Sequence, residues 1–233
     1  MDKNGEEELK QRFHDFAFAQ GATLFGVADL LPAKNYILEE FGSEYLKYHR
    51  AIAIGMPFPN QIIEQLLEGP THTYLYYYNV LNQILDNIAI RIAIQLEELG
   101  FSAFPIPASQ RTGDSRLSSI FSHRLAANLA GLGWIGKNAA LVSPQYGPRL
   151  RLVTILTNCE FEVNNALENH CGSCQICIEA CPAKAITGVS FEENKSLTAR
   201  FIATNCDEFL TKMRNTFGKR ICGRCQACCP WGK

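Results

Sequence analysis

The sequence predicts an α/β domain followed by a cysteine-rich domain. Segments with helical periodicity alternate with short apolar segments over the first two thirds of the chain, which is the pattern of an α/β fold. All ten cysteines follow residue 158, and nine of them lie between Cys171 and Cys229. The 233 residues suffice for one large domain or two small ones. We therefore expect an α/β domain over 1–158 and a second domain over 159–233.

The helices of the first domain are predicted from apolar spacing and from the residues that end each helix. Residues 6–20 carry apolar side chains at helical spacing, and Gly21 is placed to cap that helix. Residues 74–99 predict one long helix that Gly100 ends. A third helix is expected over 120–130. Strands are predicted at the apolar segments 22–30, 51–58, 101–106 and 149–157.

Composition and charge limit the classes of partner. The formal net charge is −1, which gives no electrostatic reason to expect a polyanionic partner such as RNA or DNA. The first thirteen residues are polar and acidic, so no signal peptide is expected. No segment approaches the roughly 18 consecutive apolar residues that a membrane helix needs. We therefore expect a globular protein that does not enter a membrane.

The first cysteine run is the strongest motif in the chain. Cys171, Cys174, Cys177 and Cys181 are spaced as C-x2-C-x2-C-x3-C, and Pro182 follows. This is the bacterial ferredoxin spacing, in which three thiolates surround one [4Fe–4S] cluster and the fourth ligates a second cluster. The run therefore predicts that a complementary set of cysteines lies further along the chain.

A second run supplies that complementary set. Cys222, Cys225 and Cys229 follow the spacing C-x2-C-x3-C with Pro230 after them, and Cys206 stands alone upstream. Because the fourth cysteine of each run is expected to face the other cluster, the eight ligands divide into two interleaved sets. The first cluster is assigned Cys171, Cys174, Cys177 and Cys229, and the second Cys181, Cys206, Cys222 and Cys225.

Two alternatives stand beside this assignment, and one further cysteine lies outside it. Two structural zinc sites would also need eight ligands, although a three-cysteine run that ends in Cys-Pro is a poor zinc pattern. Cys228 could replace Cys229, but Pro230 favours Cys229. Cys159, at the end of a predicted strand, is expected to be a buried thiol.

Beyond the cysteines, the chain resembles a known family. AGLGWIGKN at 130–138, followed by the Tyr-Gly-Pro-Arg of 146–149, is similar to the central signature of the epoxyqueuosine reductase-like iron–sulfur proteins, which depend on cobalamin. The segments 171–186, 205–211 and 222–231 are similar to the double-cluster module of that family. The resemblance spans almost the whole chain.

The resemblance implies a nitroreductase-like α/β domain that holds a corrinoid, followed by a ferredoxin-like module with two [4Fe–4S] clusters. It also implies a reductase in which the nearer cluster passes electrons to cobalt. Gly131 and Gly133 would allow close backbone approach to the corrinoid, and Lys137 and Asn138 would bind its periphery. The alternative for the glycines is a helix cap and a tight turn, with Trp134 in the core.

The sequence departs from the family pattern in two places. The family's Asp-Thr-Gly-Pro segment, whose Asp is the proposed proton donor, is missing, and Leu117 stands at that position. Asp114 is the nearest carboxylate and a candidate donor, with a solvated loop residue as the alternative. The chain also stops at Lys233, whereas the tRNA-acting members continue into helical repeats. Together with the net charge, this argues against a nucleic acid substrate.

Two further residues are candidates for proton transfer. His123 lies one to two turns before the 131–138 segment, and its ordinary pKa of about 6.5 suits a donor near neutral pH. The alternative is a half-buried helix histidine with a hydrogen-bonded ring. Tyr76, in the tyrosine-rich segment 74–78, can donate a proton or line an apolar surface. Ordinary packing explains at least one of these tyrosines.

The sequence therefore predicts an iron–sulfur redox protein, with three hypotheses for its activity. The first is a cobalamin-dependent reductase of a small molecule, reduced by a donor such as ferredoxin or flavodoxin. The second is an electron-transfer protein without a corrinoid, and the third is the tRNA enzyme itself. Oxygen-sensitive clusters of low potential predict a reducing, cytoplasmic location.

Overall fold

The computed structural model describes residues 3–110, 119–192 and 197–232. Its helices are α1 Lys3–Ala19, α2 Lys34–Phe41, α3 Asn60–Glu64, α4 His72–Glu98, α5 His123–Leu129, α6 Ile176–Glu179, α7 Leu197–Arg200, α8 Ala203–Phe217 and α9 Arg224–Ala227. Its strands are β1 Leu24–Asp29, β2 Arg50–Pro57, β3 Ala103–Ile106, β4 Trp134–Ile135, β5 Leu141–Val142 and β6 Leu150–Thr157. This is the mixed α/β class that the sequence predicts.

The chain forms two compact units that are discontinuous in sequence. The first unit comprises Met1–Met56, Leu81–Leu132 and Arg151–Leu167, and the second comprises Pro57–Val80, Gly133–Leu150 and Glu168–Lys233. Two segments from the first 158 residues thus belong to the same unit as the cysteine runs. The contiguous division into 1–158 and 159–233 stays a prediction, because local sequence patterns carry no information on such interleaving.

The first unit is built on a four-stranded sheet with the strand order β1-β2-β6-β3. β1 pairs antiparallel with β2, from Leu24 opposite Gly55 to Asp29 opposite Arg50. β3 pairs antiparallel with β6, from Ala103 opposite Thr157 to Ile106 opposite Thr154. Six consecutive residues of β2 are buried, which identifies a strand covered on both faces.

Helices cover this sheet with apolar faces. Leu85, Ile88, Ile92 and Leu96 of α4 are at most 1% exposed and recur at the three- and four-residue spacing of one helix face. α1 and α5 pack against β1. At Gly26, in β1, a Cβ atom would lie 2.5 Å from the backbone oxygen at the end of α5, so this packing requires glycine.

The predicted elements of the first unit are present, with shifted ends. The helix expected over 120–130 begins only at His123, because the Ser122 side chain caps it by accepting a hydrogen bond from the Leu125 amide at 3.2 Å. The strand expected over 101–106 begins at Ala103. α2 carried no prediction.

The second unit contains a short antiparallel ribbon for which the sequence carried no prediction. β4 and β5 pair antiparallel, with Trp134 opposite Val142 and Ile135 opposite Leu141. Ser143 and Gly147 then exchange both backbone hydrogen bonds, at 2.8 and 2.9 Å. The ribbon thereby continues into a tight turn. Within the described ranges, no helix combines the length and the apolarity that a membrane crossing requires.

Candidate metal centre

Four thiols of the second unit surround one cavity. Together with its open mouth the cavity encloses about 370 Å³. Its lining is Lys137, Asn138, Val142, Cys171, Cys174, Cys177, Cys229, Pro230 and Trp231. We call Cys171, Cys174, Cys177 and Cys229 the first thiol group. The first cysteine run supplies three of its members and the second run supplies Cys229, which is the set the sequence assigns to the first cluster.

Local backbone structure positions the first run. The Cys174 amide donates to the Cys171 carbonyl at 3.0 Å, which closes a tight turn, and Gly172 within it has φ of +49°. α6 follows and places Cys177 on its first turn. Cys181 comes just after α6, and its sulfur accepts a hydrogen bond from the Ala185 amide at 3.4 Å. The turn holds three thiols together, while the fourth lies beyond the helix.

The other four predicted ligands also lie near one another. We call Cys181, Cys206, Cys222 and Cys225 the second thiol group. Burial raises the pKa of Cys225 well above its ordinary value, and the charges of Cys222, Cys228, Cys181 and Cys206 raise it further. Cys206 lies in the first turn of α8 and Cys225 in α9. Gly223 precedes α9 with φ of +84°, and a Cβ there would lie 2.5 Å from a methyl group of Leu66.

Two adjacent side chains bind the backbone of the two cysteine runs. Lys137 is 7% exposed, and its ammonium donates to the carbonyls of Gly172 at 2.7 Å and Cys174 at 3.1 Å. Asn138 is equally buried, and its amide nitrogen donates to the Cys225 carbonyl at 3.1 Å. Lys137 thus holds the first run and Asn138 the second. That these two residues bind a corrinoid stays a prediction. In the structure, both side chains donate hydrogen bonds to backbone carbonyls of the chain itself.

The two glycines predicted to contact a corrinoid face protein backbone. At Gly131, which has φ of +71°, a Cβ would lie 2.5 Å from the Asn165 carbonyl oxygen. At Gly133 a Cβ would lie 2.3 Å from the Val142 oxygen of the ribbon. These contacts account for both glycines by local packing, as the alternative of a turn with Trp134 in the core expects. Trp134 is 1% exposed.

The sequence prediction missed several residues around the first thiol group. The Asn169 side chain accepts from the Cys171 amide at 2.9 Å and donates to the Ile135 carbonyl at 3.1 Å. An Asn two residues before a turn is a recognisable Asx signal. The Trp134 ring packs edge-on against His170 and Trp231, with centroids 5.1 and 4.8 Å apart. No local pattern indicates that contact.

The C-terminal cysteine run is fixed by a close backbone approach. A Cβ at Gly147 would lie 2.0 Å from the Trp231 carbonyl oxygen, and one at Gly232 would lie 2.1 Å from the Tyr146 carbonyl carbon. Gly147 has φ of +57°. Only two glycines allow these backbones to meet. The 146–149 segment therefore supports the residues that directly follow Cys229.

Two thiols of the first thiol group, Cys177 and Cys229, have raised pKa values. Burial raises the pKa of Cys177 to about 12, and the charges of Cys228, Cys171, Cys229 and Cys174 add to the shift. Burial likewise raises the pKa of Cys229 to about 11. At neutral pH such thiols are protonated, so metal binding must release their protons. Four half-buried thiols that line one cavity fit a [4Fe–4S] cluster, in which each iron takes one thiolate.

The two remaining cysteines lie in different surroundings. Cys228 is buried and close enough for its charge to affect Cys177, Cys225 and Cys229, but it does not line the cavity that Cys229 lines. Cys159 lies in the first unit and is fully buried, which raises its pKa to about 12. The burial of Cys159 agrees with the expectation of a buried thiol.

Neither His123 nor Tyr76, two of the predicted catalytic residues, is among the residues that line the cavity of the first thiol group. Asp114 and Leu117 are outside the described residues. His123 Nε2 donates to the Pro107 carbonyl at 3.0 Å, and Nδ1 accepts from the Thr154 hydroxyl at 2.9 Å. Burial lowers the pKa of His123 to about 4, and the charges of Arg151 and Arg124 lower it further, against the raising effect of the Pro107 carbonyl. Tyr76 is 65% exposed and packs edge-on against Tyr77.

Comparison with known proteins agrees with this double-cluster geometry. Residues 170–232 match the family model described as "4Fe-4S double cluster binding domain". The chain is 30% identical over 185 residues to an epoxyqueuosine reductase of Aliivibrio fischeri, an alignment that covers 72% of this chain and 44% of the relative. The chain thus spans less than half the length of the curated relatives it matches.

Two solved structures share the fold. One is an epoxyqueuosine reductase with an epoxyqueuosine-modified tRNA-Tyr stem loop, with a TM-score of 0.62, 21% identity, and coverage of 97% of this chain and 66% of that chain. The other is the catabolic reductive dehalogenase NpRdhA, with a TM-score of 0.72, 19% identity, and coverage of 95% and 31%.

Fold and thiol geometry together define a double-cluster iron–sulfur redox protein. In sequence the chain is similar to epoxyqueuosine reductases over part of their length, and its residues 170–232 match a double [4Fe–4S] cluster binding domain. The cofactors of this matched domain are two [4Fe–4S] clusters.

Proposed function

We propose that the protein is a cobalamin-dependent reductase of a small molecule, in which two [4Fe–4S] clusters carry single electrons from a donor. The observation that carries the redox part is the division of eight cysteines into two groups drawn from interleaved runs. A zinc protein needs no such sharing between runs, whereas a two-cluster ferredoxin arrangement uses it. Bound cobalamin would supply a reducible cobalt for the substrate chemistry.

The chain's own residues support the electron-transfer role. The turn at Cys171–Cys174 and the hydrogen bonds of Lys137 and Asn138 fix both cysteine runs against one ribbon. A rigid ligand set limits the rearrangement that accompanies each electron, which favours fast transfer. His123 is neutral at pH 7 and its Nε2 proton is engaged with Pro107, so a proton for substrate reduction comes more readily from another group.

A second candidate function is electron transfer without a corrinoid. The contacts of Gly131, Gly133, Lys137 and Asn138 favour it, because the four residues predicted to hold the corrinoid contact the protein itself. In that case the clusters would pass electrons from one protein partner to another in a reducing, cytoplasmic setting.

The donor is proposed to be a small acidic carrier such as ferredoxin or flavodoxin. The segment 197–232 holds six Lys and Arg against two Asp and Glu, although the whole chain is close to neutral. Lys212, Arg214 and Lys219 in this segment are exposed. A local basic surface attracts an acidic partner and raises its association rate. The same surface also suits RNA, so the substrate test includes an RNA arm.

The deciding experiment is reconstitution with cobalamin. Protein with both clusters assembled without oxygen is mixed with cobalamin, or with an RNA stem loop, and passed through a gel-filtration column. Corrinoid that elutes with the protein at close to one per chain is expected. Full iron content without retained corrinoid would replace the reductase by the electron-transfer alternative. Retention of RNA would identify a nucleic acid substrate in place of a small molecule.

A further inference from the structure

Lys137 combines burial, a positive charge and proximity to the first thiol group. Its side chain lines the same cavity as Cys171, Cys174, Cys177 and Cys229. Its ammonium donates only to the carbonyls of Gly172 and Cys174, as far as the described residues show. Carbonyl dipoles orient an ammonium without neutralising it, so its full positive charge stays beside the cavity.

We propose that Lys137 raises the reduction potential of the cluster held by the first thiol group. The proposal rests on the proposed function only in requiring a [4Fe–4S] cluster at this cavity. Each reduction adds one electron, and therefore one negative charge, to a cluster that four thiolates already make anionic. A nearby cation stabilises the reduced form more than the oxidised form, and a buried cation does so more strongly than an exposed one.

Lys137 acts here as a positioning and tuning residue. It orients the turn that carries Cys171 and Cys174 through its two hydrogen bonds, and it supplies charge through its ammonium. A cation beside the second thiol group has different surroundings. Arg224 lies beside Cys222 and donates to the Leu67 carbonyl, but this hydrogen bond is exposed to water, which screens the charge.

Three substitutions separate charge from hydrogen bonding. Lys137→Gln keeps a donor and removes the charge, Lys137→Met removes both, and Lys137→Arg keeps both. The matched control is Lys184→Gln, which removes an exposed ammonium three residues after Cys181. Each protein is assembled with both clusters, its iron and sulfide are counted, and its two one-electron steps are followed by potentiometric titration with electron paramagnetic resonance.

In Lys137→Gln, the reduction potential of one cluster is expected to fall. At a fixed applied potential, the ratio of oxidised to reduced cluster should then be about tenfold higher. For a one-electron couple this equals about 59 mV. Lys137→Arg and Lys184→Gln are expected to change this ratio by less than about twofold. Arginine keeps the positive charge at position 137, and the exposed Lys184 ammonium is screened by solvent. Lys137→Met is expected to show the same shift as Lys137→Gln and to lose iron faster.

Full iron in Lys137→Gln with both steps unchanged would overturn the proposal. Loss of one cluster in both neutral variants but not in Lys137→Arg would support a requirement for the charge. Loss of one cluster in all three Lys137 variants would overturn the proposal. The shape of the Lys137 side chain, and not its charge, would then decide whether the cluster binds. Wild-type protein without two clusters would instead refute the proposed function.

Discussion

The two compact units are stabilised in different ways. In the first unit, Phe13, Val27, Ile52, Ile54 and Leu85 are all fully buried around one sheet. In the second unit, none of the residues of α6 or α8 is buried, and the cysteine runs are held by turns and by side-chain hydrogen bonds. Apolar burial therefore stabilises the first unit, whereas the α6 and α8 segments of the second depend on what its thiols bind.

Removal of iron is expected to have the largest effect, and to affect the two units differently. Chelation under reducing conditions should abolish hydrogen-exchange protection in α8 and α9, because metal binding and folding are coupled there. β2 and α4 residues 85–96 should keep their protection, since their burial does not involve metal. Equal loss of protection in both units would show that the whole chain folds around the clusters.

Single cysteine substitutions sharpen the comparison further. Cys171→Ser is expected to lower iron from about eight to about four per chain, and Cys229→Ser should lose the same cluster because both residues line one cavity. Cys181→Ser should lose the other cluster, although it belongs to the same run as Cys171. The measurement is iron and sulfide content together with the electron paramagnetic resonance of the remaining cluster.

Cys159→Ser is the matched control for these variants. Its thiol is buried in the first unit, whereas both thiol groups belong to the second, and iron should stay at about eight per chain. Full iron in Cys171→Ser, or halved iron in Cys159→Ser, would contradict the ligand assignment.

The close approach of the Gly147 and Trp231 backbones contributes to the stability of the second unit and can be tested by substitution. Gly147→Ala should destabilise this unit by about 3 kcal/mol, because a Cβ would meet the Trp231 oxygen at 2.0 Å in addition to the strain of positive φ. Gly218→Ala is the control, with φ of +69° and open space, and should cost only about 1 kcal/mol. Unfolding in urea, followed by the fluorescence of Trp134 and Trp231, measures the difference. Equal losses would contradict the close approach.

A smaller effect is expected in the first unit as the pH falls. The pKa of His123 is about 4 in the folded protein against about 6.5 unfolded, so the unfolded chain binds more protons between these values. Stability from the neutral ring is complete above pH 6.5 and is lost as the pH falls towards 4. Between pH 7 and 4.5 the loss should be about 2 kcal/mol.

The control for this pH effect is His123→Gln, which keeps an amide donor for the Pro107 carbonyl and cannot titrate. Urea unfolding of the first unit, followed by circular dichroism, should show a shallower pH dependence in this variant. Parallel pH curves for the two proteins would show that His123 does not contribute.

Sequence patterns predicted the elements whose signal is local. The long α4 and the buried β2 were predicted nearly to their ends, because periodicity and terminating residues are encoded within each segment. The grouping of the thiols was equally accessible, since cluster ligands obey fixed spacings. These spacings are a chemical constraint rather than a folding propensity.

The ribbon β4–β5 and the interleaving of the two units were beyond local reasoning. Strands of two residues have no periodicity to detect, and the contacts of Lys137 with Gly172 and of Asn138 with Cys225 join residues far apart in sequence. The sequence marks both polar side chains as functional, and their role at a corrinoid stays a prediction beside these contacts within the chain. A buried Lys-Asn pair next to glycines indicates side chains that bind backbone carbonyls as readily as it indicates a ligand site.

The most direct test of this account is the metal content of protein purified without oxygen. Two interleaved thiol groups predict about eight iron and eight acid-labile sulfide per chain, with two [4Fe–4S] signals after reduction. Zinc in place of iron, or four iron with all ten cysteines intact, would contradict it.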